Sequence, residues 1–135
     1  EICGRVLDFR AEATSDKQVM GRFLDGRVSA ILGTHTHVAT ADQQILPGGT
    51  GFQCDVGMTG PFDGILGRRT APVVEATLHS IPLSFQVASG DVRLCGTWID
   101  ADTRTGRCCG IGRIEVDEAT IDAYQRQREA QRRIL

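Results

Sequence analysis

Gly26-Arg27-Val28-Ser29-Ala30-Ile31-Leu32-Gly33-Thr34-His35-Thr36-His37 runs a short, uncharged, largely apolar segment straight into a pair of histidines. A run such as Val28 to Leu32, with no charge and no alternation, is the form expected of a strand buried on both faces. Gly33 then permits tight backbone geometry. His35 and His37 follow in the loop that leaves the strand. In extended backbone, residues i and i+2 share a side, so the two imidazoles can address one ion or two adjacent ions.

Upstream, Ile2 to Phe9 is rich in branched and apolar side chains and reads as a first strand. Thr14 or Ser15 can cap the helix that follows, with Asp16 favourably placed in its first turn. Val19, Met20, Phe23 and Leu24 recur at helical spacing and are expected to mark its buried face, and Gly26 ends it. Strand, helix and strand within about thirty residues form a βαβ crossover, which implies parallel strands and a right-handed connection. The loops at Arg10 and at His35 then open on one edge of the sheet. Ligands of open α/β sheets bind along that carboxyl edge.

Downstream the texture changes. Pro47-Gly48-Gly49 is a turn, Thr50 to Cys54 can extend, and Asp55 to Pro61 is a glycine-rich loop whose Gly57 to Gly60 either offers backbone N–H groups to a phosphate or is a plain turn. A short helix is expected over Phe62 to Leu66. Ser84 to Ala88, Val92 to Ile99 and Gly110 to Val116 read as an antiparallel meander between turn signals. Asp117 to Leu135 is helical by composition, with Asp117 as cap and arginines near its end. The expected organisation is one α/β (α+β) domain over residues 1–116 and a helix or tail over 117–135. Because the sequence starts at Glu1 and enters a strand pattern at once, the expectation is a chain entered part-way through its fold, with an unpaired sheet edge and an exposed apolar face.

Fifteen basic against seventeen acidic residues leave a formal charge of -2, so no global field draws the chain onto nucleic acid or an anionic membrane. No apolar run approaches the ~20 residues of a spanning helix, and no signal peptide pattern opens the chain. These features predict a cytoplasmic protein with no membrane partner and no extended nucleic-acid binding. Cys3, Cys54, Cys95, Cys108 and Cys109 include no Cys-x-x-Cys pair, which predicts reduced and mostly packed thiols.

The stretch Gly26 to Val38, followed by Thr40-Ala41-Asp42 and Ile45-Leu46-Pro47-Gly48-Gly49-Thr50, closely resembles the calcineurin-like metallophosphoesterase superfamily, in the bacterial branch active on 2',3'-cyclic nucleotides. Asp8-Phe9, Ala11 to Ser15 and Asp55 to Pro61 match the same branch. The resemblance implies the carboxy-terminal portion of a four-layered α/β/β/α sandwich. It implies two divalent or transition metal ions, iron, manganese or similar, with His35 on one and His37 on the other. It also implies a small phosphate-ester substrate and a metal-bound hydroxide as nucleophile. A homo-oligomer is left open.

Two departures accompany the match. The Gly-Asp, Glu-Asn and Asn-His motifs that supply the family's remaining ligands and catalytic histidine are absent, so this chain alone is expected to be inactive and to hold metal weakly. Where the family reads Asp-Phe-His-Ala-Glu, with the histidine a ligand, this chain reads Asp8-Phe9-Arg10-Ala11-Glu12. Arginine stays protonated and cannot ligate a divalent ion. Either Arg10 grips a phosphate in a partly altered site, or it records loss of a metal and a non-catalytic descendant. Asp42 and Asp55 are candidates to orient the histidines from behind. Asp8 is expected to be a hydrogen-bond acceptor at the strand end, and His79 a surface histidine rather than a ligand.

Overall fold

The computed structural model describes residues 4–132. The expectations placed on Glu1 to Cys3 and on Arg133 to Leu135 lie outside these residues. The described residues form a mixed α/β structure with two sheets and three helices.

β1 (Val6–Arg10), α1 (Thr14–Leu24) and β2 (Ala30–Thr34) form the expected crossover, and β1 and β2 pair in parallel from Val6 opposite Ala30 to Arg10 opposite Thr34. β3 (Gln44–Ile45) and β4 (Gly51–Gln53) complete the sheet in the order β1-β2-β4-β3. β4 is parallel to β2, so the parallel sheet extends one strand further than the crossover alone. Ala30 and Ile31 in the central strand are essentially inaccessible, as a strand covered on both faces requires. Ile31, Leu46, Phe52 and Cys54 make the core, with Leu7, Phe9, Leu24 and Val28 packed against it.

Two expectations for α1 are corrected. Its N-cap is Ala13, which makes no side-chain cap bond, rather than Thr14 or Ser15. Its buried residues are Lys17 and Gly21, whereas Val19 and Phe23 are 68% and 65% exposed. Gly21 lies on the Phe52 ring so closely that a Cβ there would come within 2.7 Å of it. Phe23 instead faces outward beneath the Arg27 guanidinium, 5.2 Å from the ring centre.

After the glycine-rich loop come β5 (Gly60–Pro61), α2 (Thr70–His79), β6 (Val92–Ala101), β7 (Cys108–Asp117) and α3 (Glu118–Arg132), with a second sheet in the order β5-β6-β7. The helix expected over Phe62 to Leu66 is a tight turn. Leu66 and Gly67 both take positive φ, and Ile65 bridges Arg68 on either side of them, the geometry of a two-residue hairpin loop. The expected strand over Ser84 to Ala88 is only an isolated bridge at Val87. α2 was not legible in advance. Pro72 is tolerated in its first turn, and Ser80 closes it in the left-handed conformation, its N–H bonded to the Ala76 carbonyl. The β6–β7 hairpin is as expected, and Gly112 leaves room on β7 for the Trp98 indole. Asp117 caps α3 by accepting the Thr120 N–H at 2.8 Å.

The residues cluster into two compact units, Glu1–Met58 with Cys95–Ile114, and Thr59–Leu94 with Glu115–Leu135. Among the described cysteines, Cys54 and Cys108 are buried and Cys109 is exposed. No helix among the described residues is long and apolar enough to cross a membrane.

Candidate active-site edge

The parallel register brings three chain segments to one edge of the first sheet. Arg10 ends β1 opposite Thr34, and Leu32 of β2 lies opposite Gln53 of β4. The loops that begin at His35 and at Cys54 therefore leave the sheet side by side, next to Arg10. The pairing continues past β4, where the Val56 N–H donates to the Gly33 carbonyl at 2.9 Å. Gly33 is required here, because a Cβ would collide with the Cys54 carbonyl.

Both histidines sit in unusual backbone, His35 with φ 145 and His37 with φ 64. Side-chain-bearing residues avoid this region at a cost of roughly 1–3 kcal/mol each, so surrounding structure must hold the loop. Asp55 provides that hold. Its carboxylate accepts the N–H of Thr36, the residue between the histidines, at 2.8 Å, and the N–H of Gly57 at 3.0 Å. Lys17 of α1 completes the set with its Nζ 3.1 Å from the same carboxylate. Both side chains are buried, with 2% and 0% exposure.

Burial alone would raise the Asp55 carboxyl. The Thr36 and Gly57 N–H groups, Lys17 and the Thr36 hydroxyl outweigh it and hold the group below the usual carboxylate range. Asp42, opposed by burial in the same way, is also held low, by the Cys54 side chain and N–H and by Thr40. Burial, together with the Asp42 carboxylate, pushes the Cys54 thiol up to about 12, so it stays protonated and is no thiolate ligand at neutral pH.

The structure thus places His35, His37, Arg10 and Asp55 at one edge. Asp42 accepts the Cys54 N–H at 3.2 Å. Asp8 accepts the Thr34 hydroxyl at 3.0 Å at the same strand end. His79 lies exposed at the end of α2. Lys17 was not singled out from sequence. The available signal was its position one turn before Gly21 and two before Leu24, a stripe that hydropathy does not rank as a core face.

Among the described residues, no group of three or more His, Cys, Asp or Glu side chains converges as an ion's donor set. Two imidazoles fall short of the four donors of a tetrahedral ion or the six of an octahedral one. The described residues alone therefore do not fit a complete metal site.

The profile of the YmdB-like protein family matches residues 4–114. A 2',3'-cyclic-nucleotide 2'-phosphodiesterase of Bacillus subtilis is 48% identical over 112 residues, covering 83% of this chain and 42% of the relative. A crystal structure of a protein from Thermus thermophilus superposes with a TM-score of 0.79 at 40% identity, over 84% of this chain and 44% of that one. The structure of a phosphatase from Mycoplasma pneumoniae superposes with a TM-score of 0.78 at 33% identity, over 82% and 40%. The chain spans less than half the length of each of these relatives.

Proposed function

The chain belongs to the YmdB-like protein family, and from that premise we propose that it forms the histidine-bearing edge of a phosphoesterase acting on 2',3'-cyclic nucleotides. The observation that carries this reading is the strained His35–His37 loop, set beside Arg10 by the parallel register and bonded at Thr36 to the buried Asp55. Strain of this kind persists where the surrounding structure over-determines it, and it clusters at functional sites.

In this proposal His35 and His37 each give one nitrogen to one of two divalent or transition metal ions, the further donors coming from outside this chain. Such ions, iron, manganese or similar, supply Lewis-acid polarisation and charge stabilisation at phosphorus. The chain's own residues do the rest. Asp55 fixes the backbone between the imidazoles, the Thr36 and Gly57 N–H groups together with Lys17 keep that carboxylate charged, and Arg10 offers a planar, permanently charged fork to phosphate oxygens.

A second reading starts from Arg10, which stands where the family resemblance implies a histidine ligand. It makes the chain a non-catalytic member of the fold with a binding or assembly role. The test is hydrolysis of 2',3'-cyclic AMP by the protein carrying this chain, supplied with manganese or iron(II). The phosphoesterase reading expects H35A and H37A each to lower kcat/KM at least ~100-fold, about 2.7 kcal/mol. No turnover by the folded, metal-supplied wild type would establish the second reading instead. Arg10→His separates the roles of Arg10: a gain in metal content and rate marks a lost ligand, whereas a rise in KM marks a lost phosphate grip.

A further inference from the structure

We propose that a cleft at the opposite edge of the first sheet is a second binding site, for a phosphate group, separate from the histidine loop. Its volume is about 130 Å³, and its lining includes Arg5, Arg27, Ser29, Gly106 and Arg107. Gly4 and Arg5 precede β1, and Val28 and Ser29 precede β2, whereas Arg10 and Thr34 end those strands. Five residues at a strand rise of about 3.3 Å put the cleft roughly 15 Å from the edge that carries His35. One phosphate group cannot occupy both places.

Three arginines from distant parts of the chain line this cleft, in a protein whose formal charge is -2. The cluster is therefore a product of the fold and not of a basic composition. The segments are fastened to one another. The Arg5 N–H donates to the Ser29 hydroxyl at 3.0 Å, that hydroxyl donates to the Gly106 carbonyl at 2.6 Å, and the Ser29 N–H returns to the Arg5 carbonyl at 2.8 Å. Ser29 is buried, at 3% exposure, so the joint lies beneath the cleft and not at its mouth. The stem of Arg107 rests on Gly49, and Arg27 is held over the Phe23 ring.

No ion pair among the described residues neutralises Arg5, Arg27 or Arg107. Like charges gathered in a concave site repel one another and focus a positive potential, which an anion relieves. The backbone N–H groups of Arg5, Gly26, Arg27, Ser29, Gly106 and Arg107 are already engaged, so the charged donors this cleft can offer an anion are its arginine side chains. Planar forks pair bidentately with tetrahedral phosphate oxygens. The volume is a few times the ~30 Å³ of a liquid water, which suits a phosphate group with part of its hydration shell better than a whole nucleotide. Inorganic phosphate and the phosphate of a monoester share this chemistry.

The test is titration of the wild-type protein with inorganic phosphate and, separately, with adenosine 2'-monophosphate, at constant ionic strength, read by the arginine Nε–Hε resonances. The resonances of Arg5, Arg27 and Arg107 are expected to shift together, with those of Arg93 and Arg104 unmoved. A response to phosphate, to the monoester or to both upholds the site and tells which source fills it. The R5Q/R107Q variant is expected to bind at least tenfold more weakly, and H37A as tightly as wild type. Arg107→Lys, which keeps the charge and the stem on Gly49, covers the case of a poorly folding double variant and is expected to lose several-fold. The proposal is overturned if neither anion shifts these three resonances, if Arg10 alone responds, or if binding survives in the folded R5Q/R107Q protein.

Discussion

The two compact units handle polar groups in opposite ways. In the unit built on the parallel sheet, Lys17, Ser29, Thr50, Gln53 and Asp55 are buried, and each has specific partners. Thr50, for example, donates to the Val28 carbonyl at 2.7 Å, and Gln53 both donates to Thr40 and accepts from Thr97. In the unit of Thr59–Leu94 with Glu115–Leu135, Ala88 is the only buried hydrophobic residue among those described, and charge pairs such as Arg93 with Asp91 and Glu115 lie at the surface. Leu78, Val87 and Tyr124 there are more than half exposed. The difference teaches where precision comes from. The strained histidine loop is held through the buried Asp55, whose carboxylate bonds the Thr36 and Gly57 N–H groups and Lys17, a support of buried polar groups that the second unit does not repeat among the described residues.

The sharpest way to break that contrast is at Gly33. Gly33→Ala forces β2 and the start of the Asp55 loop apart, and is expected to cost more than ~4 kcal/mol, an exceptional loss for one methyl group. Chemical denaturation of the variant measures it. A cost below 1 kcal/mol would show that the strand ends are not held where the structure has them.

Next in size is the buried pair. Lys17→Met and Asp55→Asn are each expected to destabilise by about 3–5 kcal/mol, because each leaves a partner buried without compensation, while the double variant loses much less than the sum. Additive losses in a double-mutant cycle would mean the two groups do not act as a pair. The same pair sets an acid limit. The folded-state pKa of Asp55 lies below its unfolded value, so its contribution is fully present above the ordinary carboxylate pKa of about 3.9. It is lost as pH falls through the lower, folded value. Wild-type stability should therefore fall more steeply below about pH 4 than that of the double variant. The smallest effect is expected in the other unit, where Leu78→Ser at a 73% exposed position should change stability by less than about 0.5 kcal/mol. A large loss there would show that this unit relies on packing its surface does not display.

Much of the first unit was legible in the sequence, and less of the second. The β1–α1–β2 crossover and the placing of His35 and Arg10 at one edge followed from apolar periodicity and a topological rule that needs no side-chain detail. Asp117 was readable as a cap because capping is local. The segment from Phe62 to Ala88 was misread as a short helix and a strand where the chain has a turn, α2 and a single bridge. Its apolar residues there are mostly exposed or half-buried, so burial imposed no clear period on them.

By itself, the sequence determined the order of the elements around β2, the histidine pair and the family resemblance. It could not determine which face of α1 is buried. Of the expected face Val19, Met20, Phe23 and Leu24, Leu24 does pack against the core, but Val19 and Phe23 face outward and the chain buries Lys17 and Gly21 instead. That choice belongs to the tertiary structure, because a lysine becomes a core residue only when a carboxylate 38 positions away is brought to its ammonium, and a glycine only when the Phe52 ring needs its space.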